Sequence, residues 1–265
     1  MLCVVSPPAR SDFDERYRLD IGATVATYDS KIRINSRDDT IDKEIDLEDD
    51  LGLDSEIQMG FIKGSWRMAD RHRLTLLYVP IKRASQRTSV GDIEIDGDVI
   101  KAGAQLGTSA KTHLFDIEYI YSVYKRPNLE LGLSAGIYWM NTLTEVTAAG
   151  EVVYEGSEQG QFRTDFKATQ RLVAPLPLFG ISASYAINPE WLVHMYARYF
   201  DITIGEIHGR SVSLNLKTEY FFTDHFALGA SLFAFGIDVE YSGVVTYNTL
   251  NYSYDGLQAY LVFRY

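Results

Sequence analysis

The sequence predicts an all-β fold: a transmembrane, antiparallel, up-and-down β-barrel of about ten strands, with eight or twelve as the neighbouring even counts. Three observations lead there. Apolar and polar residues alternate with a period of two along the whole 265-residue chain, short connections take turns with long ones, and the chain closes on an aromatic residue at the end of an alternating run.

In the first strand Tyr17, Leu19, Ile21, Ala23 and Val25 alternate with Arg18, Asp20, Gly22 and Thr24, so one face is apolar and the other polar. Phe115, Ile117, Tyr119, Tyr121 and Val123 repeat the pattern against Asp116, Glu118 and Ser122. The run 129–139 does so against Glu130, Gly132, Ser134 and Gly136. The runs 179–187 and 191–199 put Gly180, Ser182 and Ser184, then His194, Tyr196 and Arg198, on the polar face. In 212–220 and 257–265 the polar face carries Lys217 and Glu219, then Gln258 and Arg264. Three segments are less regular. Lys63 interrupts the apolar face of 57–66, both faces of 74–81 are apolar, and 226–237 turns apolar on both faces beyond Ser231. A bulge, or a strand rising out of the bilayer, accounts for each.

Short joins with turn chemistry, at 68–71, 125–128, 188–190 and 223–225, alternate with long ones near 29–55, 83–111, 141–171, 200–210 and 240–253. A soluble sandwich has no reason to lengthen every second connection, whereas a membrane barrel keeps tight turns on one side and long loops on the other. Two aromatic girdles follow, with Tyr17, Trp191, Tyr220, Phe226 and Tyr265 at the turn side and Tyr28, Tyr78, Trp139 and Tyr199 at the loop side.

Bulk composition hides this. The chain is 46% hydrophobic with a mean hydropathy of -0.11 and has no membrane-helix candidate, because strands that show lipid only alternate side chains average out as soluble. The net charge of -11 and pI near 4.9 argue against a nucleic-acid partner, which needs a basic surface. That charge is local: residues 38–56 carry ten acids against Lys43 alone, leaving the rest close to neutral. Cys3 is the only cysteine, so no disulfide framework forms within the chain. Residues 1–14 read as a signal-region remnant or flexible tail and 15–265 as one barrel domain.

The last ten residues, including Gly256, Leu261, Phe263 and Tyr265, resemble the C-terminal signature read by the outer-membrane barrel assembly machinery. The segment 40–53 (TIDKEIDLEDDLGL), with Asp70-Arg71-His72-Arg73-Leu74 and Ala174-Pro175-Leu176-Pro177-Leu178, resembles a family of uncharacterised proteobacterial outer-membrane barrels. The resemblance implies a Gram-negative outer-membrane location and brings no catalytic residues. The expected partners are outer-membrane lipid and lipopolysaccharide, the assembly machinery, and a protein engaged through the loops 29–55, 83–111 and 141–171.

Two groups of residues are candidates for chemistry. Asp46, Glu48, Asp49, Asp50 and Asp54 offer oxygens to a hard divalent cation such as Ca2+ or Mg2+, but their spacing is not that of an EF-hand, and a solvated or lid-like loop is the commoner outcome. No other cofactor is implied. Leu47, Leu51 and Leu53 among these acids indicate an ordered loop that packs against the barrel mouth. The second group faces inward: Arg18, Asp20, Asp116, Glu118, Glu130, His194, Arg198, Lys217, Glu219 and Arg264, both signs together. A ten-stranded lumen holds such side chains and some water, so a closed, ion-paired interior is the leading reading and a narrow charged pore the alternative.

Catalysis is the less favoured class. Nucleophilic hydrolysis needs a histidine within reach of its nucleophile and an orienting acid. Of the five histidines, His72 and His225 lie at turns and His194 in the lumen; only His113 and His208, with Ser109 and Ser211 nearby, fall on the loop side. The paired acids and Asp-His of omptin proteases are not recognisable in the sequence. The expectation is therefore a non-enzymatic barrel with a structural, binding or narrow-channel role. A lipid-modifying or proteolytic barrel with its site at the extracellular rim is the alternative.

Overall fold

The computed structural model describes residues 13, 15–36, 42–49, 52–89, 91–95, 98–153, 163–242 and 246–265. The elements in chain order are β1(Tyr17–Ser36), β2(Asp42–Asp46), β3(Glu56–Ala69), β4(His72–Thr88), β5(Ile93–Ile95), β6(Asp98–Ile100), β7(Gln105–Arg126), β8(Leu129–Val153), β9(Arg163–Ala186), β10(Trp191–Ile204), β11(Ile207–Phe221), β12(Phe226–Ser242) and β13(Thr246–Arg264). The ten long strands pair antiparallel, each with its neighbours in sequence. β13 returns to β1 in continuous register, from Arg18↔Arg264 to Ser36↔Thr246, and closes the barrel. Short β2 adds to the loop end of β1, and the β5–β6 hairpin adds to the loop end of β8.

The alternation sorts side chains as a barrel requires. Tyr17, Ile21, Val25, Ile117, Leu133, Ile181, Leu214, Leu228 and Leu261 lie on the outside, while Asp20, Thr24, Glu118, Ser184 and Glu219 are buried inside. Tyr78, Phe115 and Trp139 stand opposite one another on β4, β7 and β8, forming one rung of a loop-side aromatic girdle on the outer face. Tyr28, expected in that girdle, is instead buried in the lumen: it is an even-numbered residue on a strand whose odd positions face outward.

The three irregular segments have a different origin from the one expected. β11, β12 and β13 pair without a register shift, and the shift in β3 falls at its turn end, between Arg67 and Ala69. Both faces are apolar because the loop-side half of the lumen is itself an apolar core. It contains Ile57, Met59, Ile81, Leu114, Leu178, Phe235 and Ile237, with Val79 and Phe233 against it. Lys63 thus does not interrupt a lipid face; it lies on the inward face of β3 with Ile57, Met59 and Phe61. At the turn end a second cluster, which includes Phe13, Leu192, Phe221 and Val262, fills the lumen beneath the charged groups.

The long connections are shorter than expected because strands continue past the apolar band. β8 has 25 residues, about 80 Å of strand at ~3.3 Å per residue, against the roughly 10 residues needed to cross a bilayer. β10 and β11 meet in a two-residue turn in which Gly205 adopts φ 62°, a left-handed conformation that suits glycine. Hydropathy marks where lipid contact stops; it does not mark where a strand stops. Above that level the β7–β8–β9 wall carries its own small core of Ile100, Leu106, Val146, Val152 and Phe166.

Candidate functional site

The lumen gathers most of its charged residues into three sets, each joining strands three places apart around the barrel. In the first, Glu219 of β11 is fully buried. It accepts hydrogen bonds from Arg18 Nη1 of β1 (2.9 Å) and Tyr260 Oη (2.9 Å), and pairs with His194 Nε2 at 3.3 Å. Arg18 also donates to Asp20 at 2.8 Å, and His194 Nδ1 lies 2.7 Å from Ser184 Oγ. In the second, Arg198 of β10 reaches Glu118 of β7 at 2.9 Å and Asp116 at 3.2 Å. In the third, Arg67 of β3 donates to both oxygens of Glu130 of β8 at 3.0 Å, with Ser122 Oγ also donating and Arg73 at 3.5 Å. Arg73 continues to Glu15 at 3.3 Å. Breaking such buried pairs costs more than forming them gains, so they pin strands to one arrangement.

Sequence reasoning named ten lumen residues, and all ten have inward, buried or nearly buried side chains. The partners are another matter. Glu130 meets Arg67 and Arg73, while Arg264 donates to the Asp224 carbonyl at 2.8 Å and covers the Phe221 ring at 3.7 Å. Lys63, Arg67, Arg73 and Tyr260 were missed. For Lys63 and Arg67 the usable signal was that Ile62 and Trp66 fit the lipid face, which turns the odd positions of β3 inward.

Above the charged sets, tyrosines meet across the lumen. Tyr138 Oη of β8 and Tyr254 Oη of β13 are 2.8 Å apart, and these strands lie on opposite sides of the barrel. Tyr254 stacks on Tyr28 at 5.0 Å between centroids, and Phe235 stacks on Tyr138 at 5.2 Å.

The acidic loop folds over this layer. Glu48 accepts from the Ser30 N–H at 2.8 Å and pairs with Arg83, whose guanidinium also donates to the Asp54 carbonyl (3.0 Å) and sits 5.0 Å from the Tyr28 ring. Asp46 caps the turn by accepting from the N–H groups of Glu48 (3.0 Å) and Asp49 (2.8 Å), and Leu53 is buried. Of the five candidate cation ligands, Asp46 and Glu48 come together, with Asp29 as their third member; Asp49 and Asp54 are exposed elsewhere, and Asp50 lies outside the described residues. Both Glu48 oxygens are already engaged by protein donors, so the arrangement is an ion-paired cap.

Among the described residues, neither loop-side histidine meets the serine near it in sequence. His113 faces outward and bonds Tyr78 Oη at 2.9 Å, with Ser109 four residues along the same face, about 13 Å away. His208 pairs outward with Asp201 at 2.8 Å, whereas Ser211 is buried on the opposite face and donates to the Gly236 carbonyl. Outside and above the girdle, Lys82, Lys111 and Arg171 are exposed along one rung of β4, β7 and β9. In the terminal signature, Leu261, Phe263 and Tyr265 face outward. Gly256 is held against β1, where a Cβ would stand 2.1 Å from the Val25 carbonyl oxygen.

A closed antiparallel ten-stranded barrel, apolar outside and charged within, is the architecture of outer-membrane β-barrels. The outer-membrane protease OmpT from Escherichia coli has a similar fold, with a TM-score of 0.58 at 15% identity over 96% of this chain and 98% of that one. The toluene transporter TodX from Pseudomonas putida aligns at 0.39 and 9% identity, over 98% and 92%. The attachment invasion locus protein Ail from Yersinia pestis aligns at 0.28 and 8%, over 93% and 99%. At these identities the likeness is one of fold. No family model and no curated protein matches the sequence, so the resemblance to one uncharacterised family goes no further than a shared outer-membrane-barrel fold.

Proposed function

We propose that the protein is a closed barrel of the Gram-negative outer membrane with a structural or binding role at its loop end, neither conducting nor catalytic. The observation that carries this reading is the filled lumen: Tyr138 and Tyr254 bridge its diameter above three cross-lumen ion-paired sets, with Phe13, Phe221 and Val262 packed at the turn end. The Lys82, Lys111 and Arg171 rung stands above the aromatic girdle, at the level of lipopolysaccharide phosphates, and supports a lipid partner there. A protein partner is engaged through the loops 29–55, 83–111 and 141–171, and the assembly machinery through the C-terminal strand. The test is planar-bilayer recording of the refolded barrel. The expected trace has no channel steps, and reproducible single-channel openings would overturn the reading.

A further inference from the structure

Where the charged half of the lumen meets the apolar half lies a cavity of about 100 Å³, whose wall includes Lys63, Asp116, Tyr196, Asn215 and Lys217. The two lysines are unusual. Among the described residues neither makes a hydrogen bond or ion pair, and both ammonium groups stand against the Tyr196 ring, at 5.2 and 5.8 Å from its centroid. Lys217 also lies 5.2 Å from the Tyr260 ring. These ring contacts offset part of the desolvation of an ammonium group, but they do not neutralise its charge.

The nearby carboxylates make their direct contacts with other partners, Glu219 with Arg18, His194 and Tyr260, Asp20 with Arg18, and Glu118 and Asp116 with Arg198. Two oxygens on the same wall, Asp116 Oδ1 and Asn215 Oδ1, are buried without a donor. The cavity therefore presents two amino groups without a direct acceptor and two oxygens without a donor.

We propose that this cavity binds a compact oxyanion bearing its own hydroxyl, of the bicarbonate or dihydrogen phosphate kind. Its oxygens accept from Lys63 and Lys217 while its hydroxyl donates to Asp116 Oδ1. Chloride meets only the first need, and water meets both but places no negative charge in direct contact with either ammonium group. The volume suits about four or five non-hydrogen atoms, since a ~150 Å³ cavity holds the six of benzene. The site does not depend on whether the lumen conducts, which bilayer recording reads separately.

The unfolding midpoint of the refolded barrel, measured at constant ionic strength, should rise and saturate with bicarbonate or phosphate and stay flat with chloride or acetate. The oxyanion with the lower half-saturation identifies the occupant. Lys63→Met and Lys217→Met should abolish the rise, and Lys217→Arg should retain it. Should a methionine variant fail to fold, a structure of the unaltered protein soaked in each oxyanion decides the matter: density for the anion between the two ammonium groups supports the proposal. Water alone there, or an equal response to chloride, overturns it.

Discussion

Replacing Glu219 is the sharpest test of how the lumen holds the barrel together. The carboxylate is 0% exposed and serves three partners on three other strands, Arg18 of β1, His194 of β10 and Tyr260 of β13. Glu219→Leu leaves Arg18 with Asp20 alone and strips the Tyr260 hydroxyl of its acceptor. Removing one member of a buried pair costs about 3–5 kcal/mol, and an orphaned hydroxyl about 1–3 kcal/mol more where water does not reach it. Because Asp20 still holds Arg18, we expect about 4 kcal/mol in total. Glu219→Gln keeps the shape and one acceptor oxygen and should cost about 2 kcal/mol, the scale of hydrogen bonds to a charged group. Urea unfolding from lipid vesicles provides the assay, with Trp66, Trp139 and Trp191 as reporters, since all three lie on the outer face. If both variants unfold within ~0.5 kcal/mol of the unaltered protein, the ion-paired set is incidental to stability and the reasoning fails.

Three further outcomes are expected. A Cβ at Gly229 would lie 2.2 Å from the Tyr260 ring, so Gly229→Ala should push that ring off Glu219 and cost about 1–3 kcal/mol; Gly236→Ala, with open space around it, is the neutral control in the same unfolding assay. Arg83→Met should release the acidic cap, with amide exchange at Ser30 and Leu53 accelerated about 10- to 100-fold by mass spectrometry, the loss of a charged hydrogen bond worth ~1.5–3 kcal/mol. Asp92 beside the β5–β6 hairpin is held below the usual carboxylate range by the Lys101 ammonium and the Ala102 N–H. Its contribution is therefore present above pH ~4 and lost as pH falls through the lowered value, so protection of the Ala102 amide, measured relative to its intrinsic exchange rate at each pH, should fall only in acid; a loss of protection confined to the alkaline side of neutrality would contradict the assignment.

Inward and outward positions were legible wherever the two faces differ in polarity. Arg18, Asp20, Glu118 and Glu219 could be assigned to the lumen because Leu19, Ile21, Ile117 and Leu216 on the same strands are apolar and take the outer face. The assignment failed where lumen and lipid demand the same residue type. Ile57, Met59 and Phe61 of β3, or Phe233 and Phe235 of β12, fit an apolar interior as well as a bilayer, so Lys63 was read on the wrong side. Strand ends were illegible for a related reason: β8 and β9 keep pairing beyond the outer apolar band, and hydrogen-bonded backbone leaves no mark in hydropathy.

Read alone, then, the sequence determined the class of fold, the approximate strand number, the polarity of most faces and the presence of one concentrated acidic segment. Each follows from a local rule, the two-residue period of a strand or the chemistry of a turn. Tertiary structure alone decided which charges pair, that Glu48 folds in to meet Arg83, that Tyr138 meets Tyr254, and that Lys63 and Lys217 share a cavity in which neither is ion-paired. Those depend on how strands far apart in sequence face one another across a closed circle, and closure is a property of the whole sheet that no local window contains.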